Sequence, residues 1–190
     1  MEKIALVFPG IGYHTDKPLL YYSKKLAVKY GYRTIDVSYT GFPSGVKGDA
    51  EKMEQCFYLA LDQTETLLKE ENLIDAKILV LAKSIGTAVA AAYIKNHRLQ
   101  ADFLYYTPVE QTFSFVEKKS GIVFTGTADP WVTTDQVISA CDDRNMPLTV
   151  IPEANHSLET GEVQNDLEIL QQVMEESEAY IKGVSREIER

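Results

Sequence analysis

Six short strand-like runs, alternating with five stretches of helical spacing, restrict the fold of this chain more than any other feature. Strands are expected near Lys3–Phe8, Arg33–Ser38, Lys77–Ala82, Asp102–Thr107, Gly121–Thr125 and Pro147–Ile151. Helices are expected near Lys17–Tyr30, Asp49–Glu71, Ser84–His97, Thr133–Arg144 and Val163–Lys182. Such alternation lays parallel strands side by side and covers both faces with crossover helices. The expected fold is α/β: a doubly wound, mainly parallel six-stranded sheet with helices on both faces, in a single domain over 1–190. Right-handed crossovers bring the loops after the strands' carboxyl ends to one edge, where ligands usually bind.

Local signals agree. Asp16 is placed to cap the first helix, Pro18 falls in its first turn and Gly31 ends it. Met53, Phe57, Ala60, Leu61, Thr64, Leu67 and Leu68 form an apolar stripe on the second helix, and Cys56 on the same face reads as a core thiol. The charged tail beyond Gly183 is expected to fray.

Composition removes several function classes. A formal net charge of −9 gives no electrostatic gain on nucleic acid or an anionic membrane, so neither is an expected partner. No stretch approaches the roughly 20 apolar residues that span a bilayer. Ile4–Phe8 is too short for a signal peptide, and the cytoplasm is the expected location. The two cysteines are far apart, and the three histidines lack metal-ligand spacing, so neither a disulfide nor a metal site is expected. No feature sets an oligomeric state.

The third strand runs directly into Lys83-Ser84-Ile85-Gly86 and then into a helix rich in alanine. A serine at such a strand-to-helix turn is held above the carboxyl edge of the sheet, as in a nucleophile elbow. Its hydroxyl becomes a useful nucleophile only if a base removes the proton. Asp129 follows the fifth strand and His156 follows the sixth, so both lie in loops of that same edge. Ser84 as nucleophile, His156 as base and Asp129 as the group orienting the imidazole would complete a triad.

The order Ser84, Asp129, His156 after the third, fifth and sixth strands resembles the α/β-hydrolase superfamily over nearly the whole chain. The resemblance implies a minimal α/β-hydrolase fold that lacks the family's N-terminal hairpin. It also implies an oxyanion hole made by the backbone N–H groups of Ile85 and Ile11, with Gly12 the neighbouring candidate. The family's G-x-S-x-G carries Ala82 in place of the first glycine, a small residue still, while Gly86 keeps the second. Pro108–Ser120, where many such hydrolases insert a lid, holds only a short helix or loop, so the active edge is expected to be open.

Each residue also has a plainer reading. Ser84 is in a helix N-cap position, Asp129-Pro130 suits a turn, and His156 alone is a loop residue. Gly12, Tyr13, His14, Tyr39 and Trp131 are candidate substrate contacts on the active edge, with Phe42 and Tyr106 nearby. Glu110 reads as a solvated acid, Asp135 as a first-turn helix charge, Asp102 as lying at the wrong end of its strand, and His97 as a helix-end residue. Lys83 reads as a solvated or pocket-lining side chain without a proton-transfer role.

The expectation is a serine hydrolase that forms an acyl-enzyme from a carboxylic ester or thioester, small or displayed on a carrier, and needs no cofactor. A non-catalytic ligand-binding protein on the same fold is the alternative. A flavodoxin-like module of order 2-1-3-4-5 with a sixth strand would need a phosphate loop at Pro9–His14, which lacks Ser/Thr-rich character.

Overall fold

The apolar runs of the four central strands are buried on both faces, while the two edge strands, at Arg33–Asp36 and Leu148–Ile151, are only partly covered. In the computed structural model, which describes residues 1–186, the six runs form β1 (Glu2–Phe8), β2 (Arg33–Asp36), β3 (Ala76–Lys83), β4 (Ala101–Tyr106), β5 (Gly121–Gly126) and β6 (Leu148–Ile151). All neighbours pair in parallel, in the order β2-β1-β3-β4-β5-β6. The helices are α1 (Pro18–Lys29), α2 (Ala50–Leu68), α3 (Ile85–Asn96), α4 (Thr134–Arg144) and α5 (Val163–Arg186). A short 3-10 turn, Glu110–Ser114, occupies the β4–β5 connection, so that segment has room for nothing larger.

Strand alternation divides the core into two layers. Ile4, Leu6, Ile78, Val80, Phe103 and Tyr105 point to one face, against Cys56 and Ala60 of α2, Val89 and Ala90 of α3, and Val137 of α4. Ala5, Val7, Leu79, Leu81, Leu104 and Phe124 point to the other, against Leu20 and Ala27 of α1 and Val173 and Ile181 of α5. The alanines of α3 are nearly all buried, which lets the helix lie close to the sheet below the site.

Three expectations are corrected. Asp16 does not cap α1: Lys17 occupies that position without a side-chain bond, and the Asp16 carboxylate pairs with Lys24 at 3.3 Å. Leu67 leaves the buried stripe of α2 and is exposed, because Thr64 and Leu68 already fill the inward face. The chain beyond Gly183 continues α5 through Arg186, with Val184 and Ser185 buried and their carbonyls accepting from Lys77 and Lys3. The rest of that tail, 187–190, lies outside the described residues. Ser84 occupies the N-cap position of α3 but makes no capping bond, and its hydroxyl is committed elsewhere.

Among the described residues no helix is long and apolar enough to cross a membrane. Among them, too, no group of three or more His, Cys, Asp or Glu side chains is arranged to hold a metal ion.

Candidate active site

Ser84 is fixed by its backbone before its side chain is considered. Its φ of 57° and ψ of −129° are a conformation that L residues adopt only under constraint. The constraint comes from both sides: its N–H donates to the Tyr106 carbonyl at 3.0 Å, and its carbonyl accepts from the Thr87 N–H at 2.9 Å and the Thr87 hydroxyl at 2.6 Å. The bend turns the hydroxyl away from the helix and toward the β6–α5 loop. There the Ser84 hydroxyl donates to His156 Nε2 at 2.7 Å, and His156 Nδ1–H donates to Asp129 Oδ2, also at 2.7 Å.

Each partner is held in turn. The other oxygen of Asp129 accepts from the Trp131 N–H at 2.9 Å, and the carboxylate is fully buried. The Trp131 ring lies 5.5 Å from the imidazole, centroid to centroid. Thr107, at the end of β4, donates its hydroxyl to the His156 carbonyl at 2.9 Å. The Asn155 side chain accepts from the Ser157 N–H at 2.7 Å, which shapes the loop one residue from the imidazole. Burial lowers the pKa of His156, the bond to Asp129 opposes that, and the nearby charge of Lys83 lowers it further. A neutral imidazole that accepts from a hydroxyl and donates to a buried carboxylate can take up the hydroxyl's proton.

Two glycines permit this arrangement. A Cβ on Gly86 would sit 2.4 Å from the Pro9 carbonyl oxygen and 2.6 Å from that of Phe8. A Cβ on Gly10 would meet the Ser84 Cβ at 2.9 Å. Side chains at those positions would drive the β1–α1 loop away from the serine.

Solved structures with the same chain path supply the comparison. Est1E from Butyrivibrio proteoclasticus superimposes with a TM-score of 0.67 at 10% identity, over 96% of this chain and 88% of that one. An α/β serine hydrolase homologue from Coxiella burnetii gives 0.56 at 15% identity, over 92% and 84%. A serine hydrolase without a lid from Xanthomonas campestris gives 0.56 at 12% identity, over 90% and 79%. The fold is that of the α/β hydrolases. No family model matches the sequence, and no curated protein matches it. At these identities the likeness concerns the fold alone.

Within the α/β-hydrolase frame, several candidate contacts move. Ile11, Gly12, His14 and Tyr39 do border one hollow of about 250 Å³ beside the β1–α1 loop, with Phe42 across from them. Tyr13 does not: it is buried in the α1/α5 layer, its hydroxyl accepting from the Leu19 N–H at 3.1 Å. Paired bonds between Gly10 and Tyr13 close the loop and turn that ring inward. Tyr106 is also internal, bonded to Ser23 at 2.7 Å and Ser177 at 2.8 Å. His97 binds Glu65 at 2.7 Å, a helix-end pairing remote from Ser84 in the fold.

Lys83 is the larger correction. It is 1% exposed and neither solvated nor lining a hollow. Strand alternation explains the placement, since Leu79, Leu81 and Lys83 all point to the α1/α5 face. Its ammonium lies 5.0 Å from the centroid of the Tyr13 ring, and burial pushes its pKa down to about 7. The consequence for stability has a definite sign. Between about pH 7 and the unfolded value of 10.5, the unfolded chain carries a proton here that the folded chain lacks. Stability therefore rises with pH across that window, by up to ~1.4 kcal/mol per pH unit. Urea unfolding at several pH values between 7 and 9.5 should show this slope in the wild type and a flatter one in Lys83→Met.

Proposed function

We propose that this chain is a serine hydrolase that cleaves a carboxylic ester or thioester through an acyl-enzyme, with Ser84, His156 and Asp129 as its triad. The hydrogen-bonded chain from Ser84 to Asp129, two links of 2.7 Å each, carries the reading. Ser84 Oγ attacks the acyl carbon while His156 Nε2 takes its proton, and Asp129 stabilises the imidazolium that results. The negative charge on the former carbonyl oxygen meets the backbone N–H groups of Ile85 and Ile11. Collapse of the tetrahedral intermediate expels the alkoxide or thiolate, which leaves with the proton from His156. Water then attacks the acyl-serine with His156 again as base, releasing the carboxylic acid and restoring the serine. No step calls for a cofactor.

An apolar hollow of about 380 Å³ opens between α2, the start of α3 and the β4–β5 connection, lined by Met53, Phe57, Ile85, Ala88, Val109 and Phe115. Its lining includes Ile85, the residue after the nucleophile, so it is positioned for the acyl part of the substrate. The smaller hollow beside Ile11 and Gly12 then faces the leaving group. Est1E, which shares the fold, has been solved with ferulic acid, an aromatic acid, bound, and an apolar acyl site on the present chain is compatible with that. The test is a series of p-nitrophenyl esters from acetyl to octanoyl. Each added methylene buried in the hollow should raise kcat/KM about 4-fold, from about 0.8 kcal/mol per CH₂, until the space is filled. Met53→Trp, which fills the hollow from a half-buried position, should flatten that series. A flat series in the wild type would place the acyl group elsewhere.

A further inference from the structure

A lysine sealed one residue before a nucleophile is an unusual use of a charge, because a leucine or methionine would fill the same space without the desolvation cost. The groups electrostatically associated with it come from three loops of the active edge. Tyr13 lies on the β1–α1 loop, Asp129 follows β5, and Glu159 follows β6 on the loop that carries His156. Lys47 from the β2–α2 loop acts on His156 in the same direction as Lys83. No carboxylate of the described residues forms an ion pair with Lys83, so the charge is not consumed by a structural salt bridge. It is sealed one residue before Ser84, whose hydroxyl bonds His156 at 2.7 Å, so the charge lies close to the triad with no counter-ion of its own among the described residues.

We propose that Lys83 is a positioning residue that sets the basicity of His156: its protonated amine, buried one residue before the nucleophile, repels an imidazolium, and its neutral amine does not. The role rests on the triad reading, but its physical content is electrostatic and is measurable without turnover. In the acid range the charged lysine shifts protonation of His156 to lower pH and makes it a weaker base. As pH rises through about 7 the lysine loses its proton, and the imidazolium that catalysis requires is no longer opposed. The acid limb of the rate profile therefore contains two ionisations, one from each residue.

The experiment is imidazole nitrogen NMR across pH on the wild type, Lys83→Met and Lys83→Gln. With three histidines in the chain, the His156 signals are identified by their loss in His156→Gln. The expected result is an upward shift of the His156 midpoint in both Lys83 variants, with His14 and His97 unmoved. The wild type alone should also show a second, smaller inflection of the His156 signals near pH 7, which needs no folded variant. An unmoved midpoint, a shift in only one of two folded variants, or a single inflection in the wild type would overturn the inference. Fluorophosphonate labelling of the same samples separates the two readings. A shifted midpoint with no adduct on Ser84 would leave the electrostatic coupling standing and remove the hydrolase.

Discussion

Ser84→Ala and His156→Ala each lower kcat for an ester substrate by about 10⁶, and Asp129→Ala by about 10⁴, with the Ser84/His156 double variant no worse than either single. The unequal losses follow from the geometry. The serine hydroxyl and the imidazole form one proton-transfer unit across 2.7 Å, so removing either leaves nothing for the other to do. Asp129 acts a step further away. It fixes the tautomer with a proton on Nδ1 and stabilises the charge that appears there, but the imidazole remains beside Ser84 without it. Thr107 and the tilted Trp131 ring continue to hold His156 in the absence of the carboxylate. Steady-state kinetics on variants with matched circular dichroism spectra would check the order. Equal losses at all three positions would contradict it.

The second large effect belongs to a residue with no side chain. Gly86→Ala lowers stability by about 3 kcal/mol and reduces activity beyond what the remaining folded fraction accounts for. Its new Cβ would stand 2.4 Å and 2.6 Å from two backbone oxygens, those of Pro9 and Phe8. A flexible side chain could rotate away from such a contact, but the end of β1 cannot, because Phe8 pairs with Ala82 in the middle of the sheet. Relief requires the β1–α1 loop to move outward and to carry Ile11 away from the oxyanion it is proposed to meet. Thermal melts together with kinetics in the fully folded range separate the two losses. Unchanged stability would mean that the close approach of α3 to β1 is not tight in solution.

What the sequence disclosed and what it withheld have a common physical basis. The strands were readable because parallel strands are buried on both faces and appear as continuous apolar runs. The position of Ser84 was readable because a strand, a turn and a helix are local features. Lys83 and Tyr13 were misjudged because the facing of a side chain depends on register and loop closure. In Lys83 the needed signal was present: Leu79 and Leu81, at spacing two, mark the inward face on which it also falls. For Tyr13 it was absent, since the Gly10–Tyr13 bonds that turn the ring inward follow no sequence pattern. Thr107 and Asn155 were missed for a third reason. Thr107 matters only because the β4 and β6 loops approach each other, and Asn155 because its amide shapes the turn after His156. The docking of Val184 and Ser185 is likewise tertiary, produced by Lys3 and Lys77 reaching across from strand ends.

The central claim is that Ser84 is an activated nucleophile, and the most direct test is reaction with a fluorophosphonate followed by intact-mass spectrometry. A hydroxyl that only caps a helix is inert to this reagent, whereas one whose proton is taken by an adjacent imidazole reacts through the same oxyanion-stabilised route as an ester. The account predicts one adduct per chain, absent in Ser84→Ala and strongly reduced in His156→Ala. A folded wild type that gains no adduct would contradict it and leave a ligand-binding protein on a hydrolase framework.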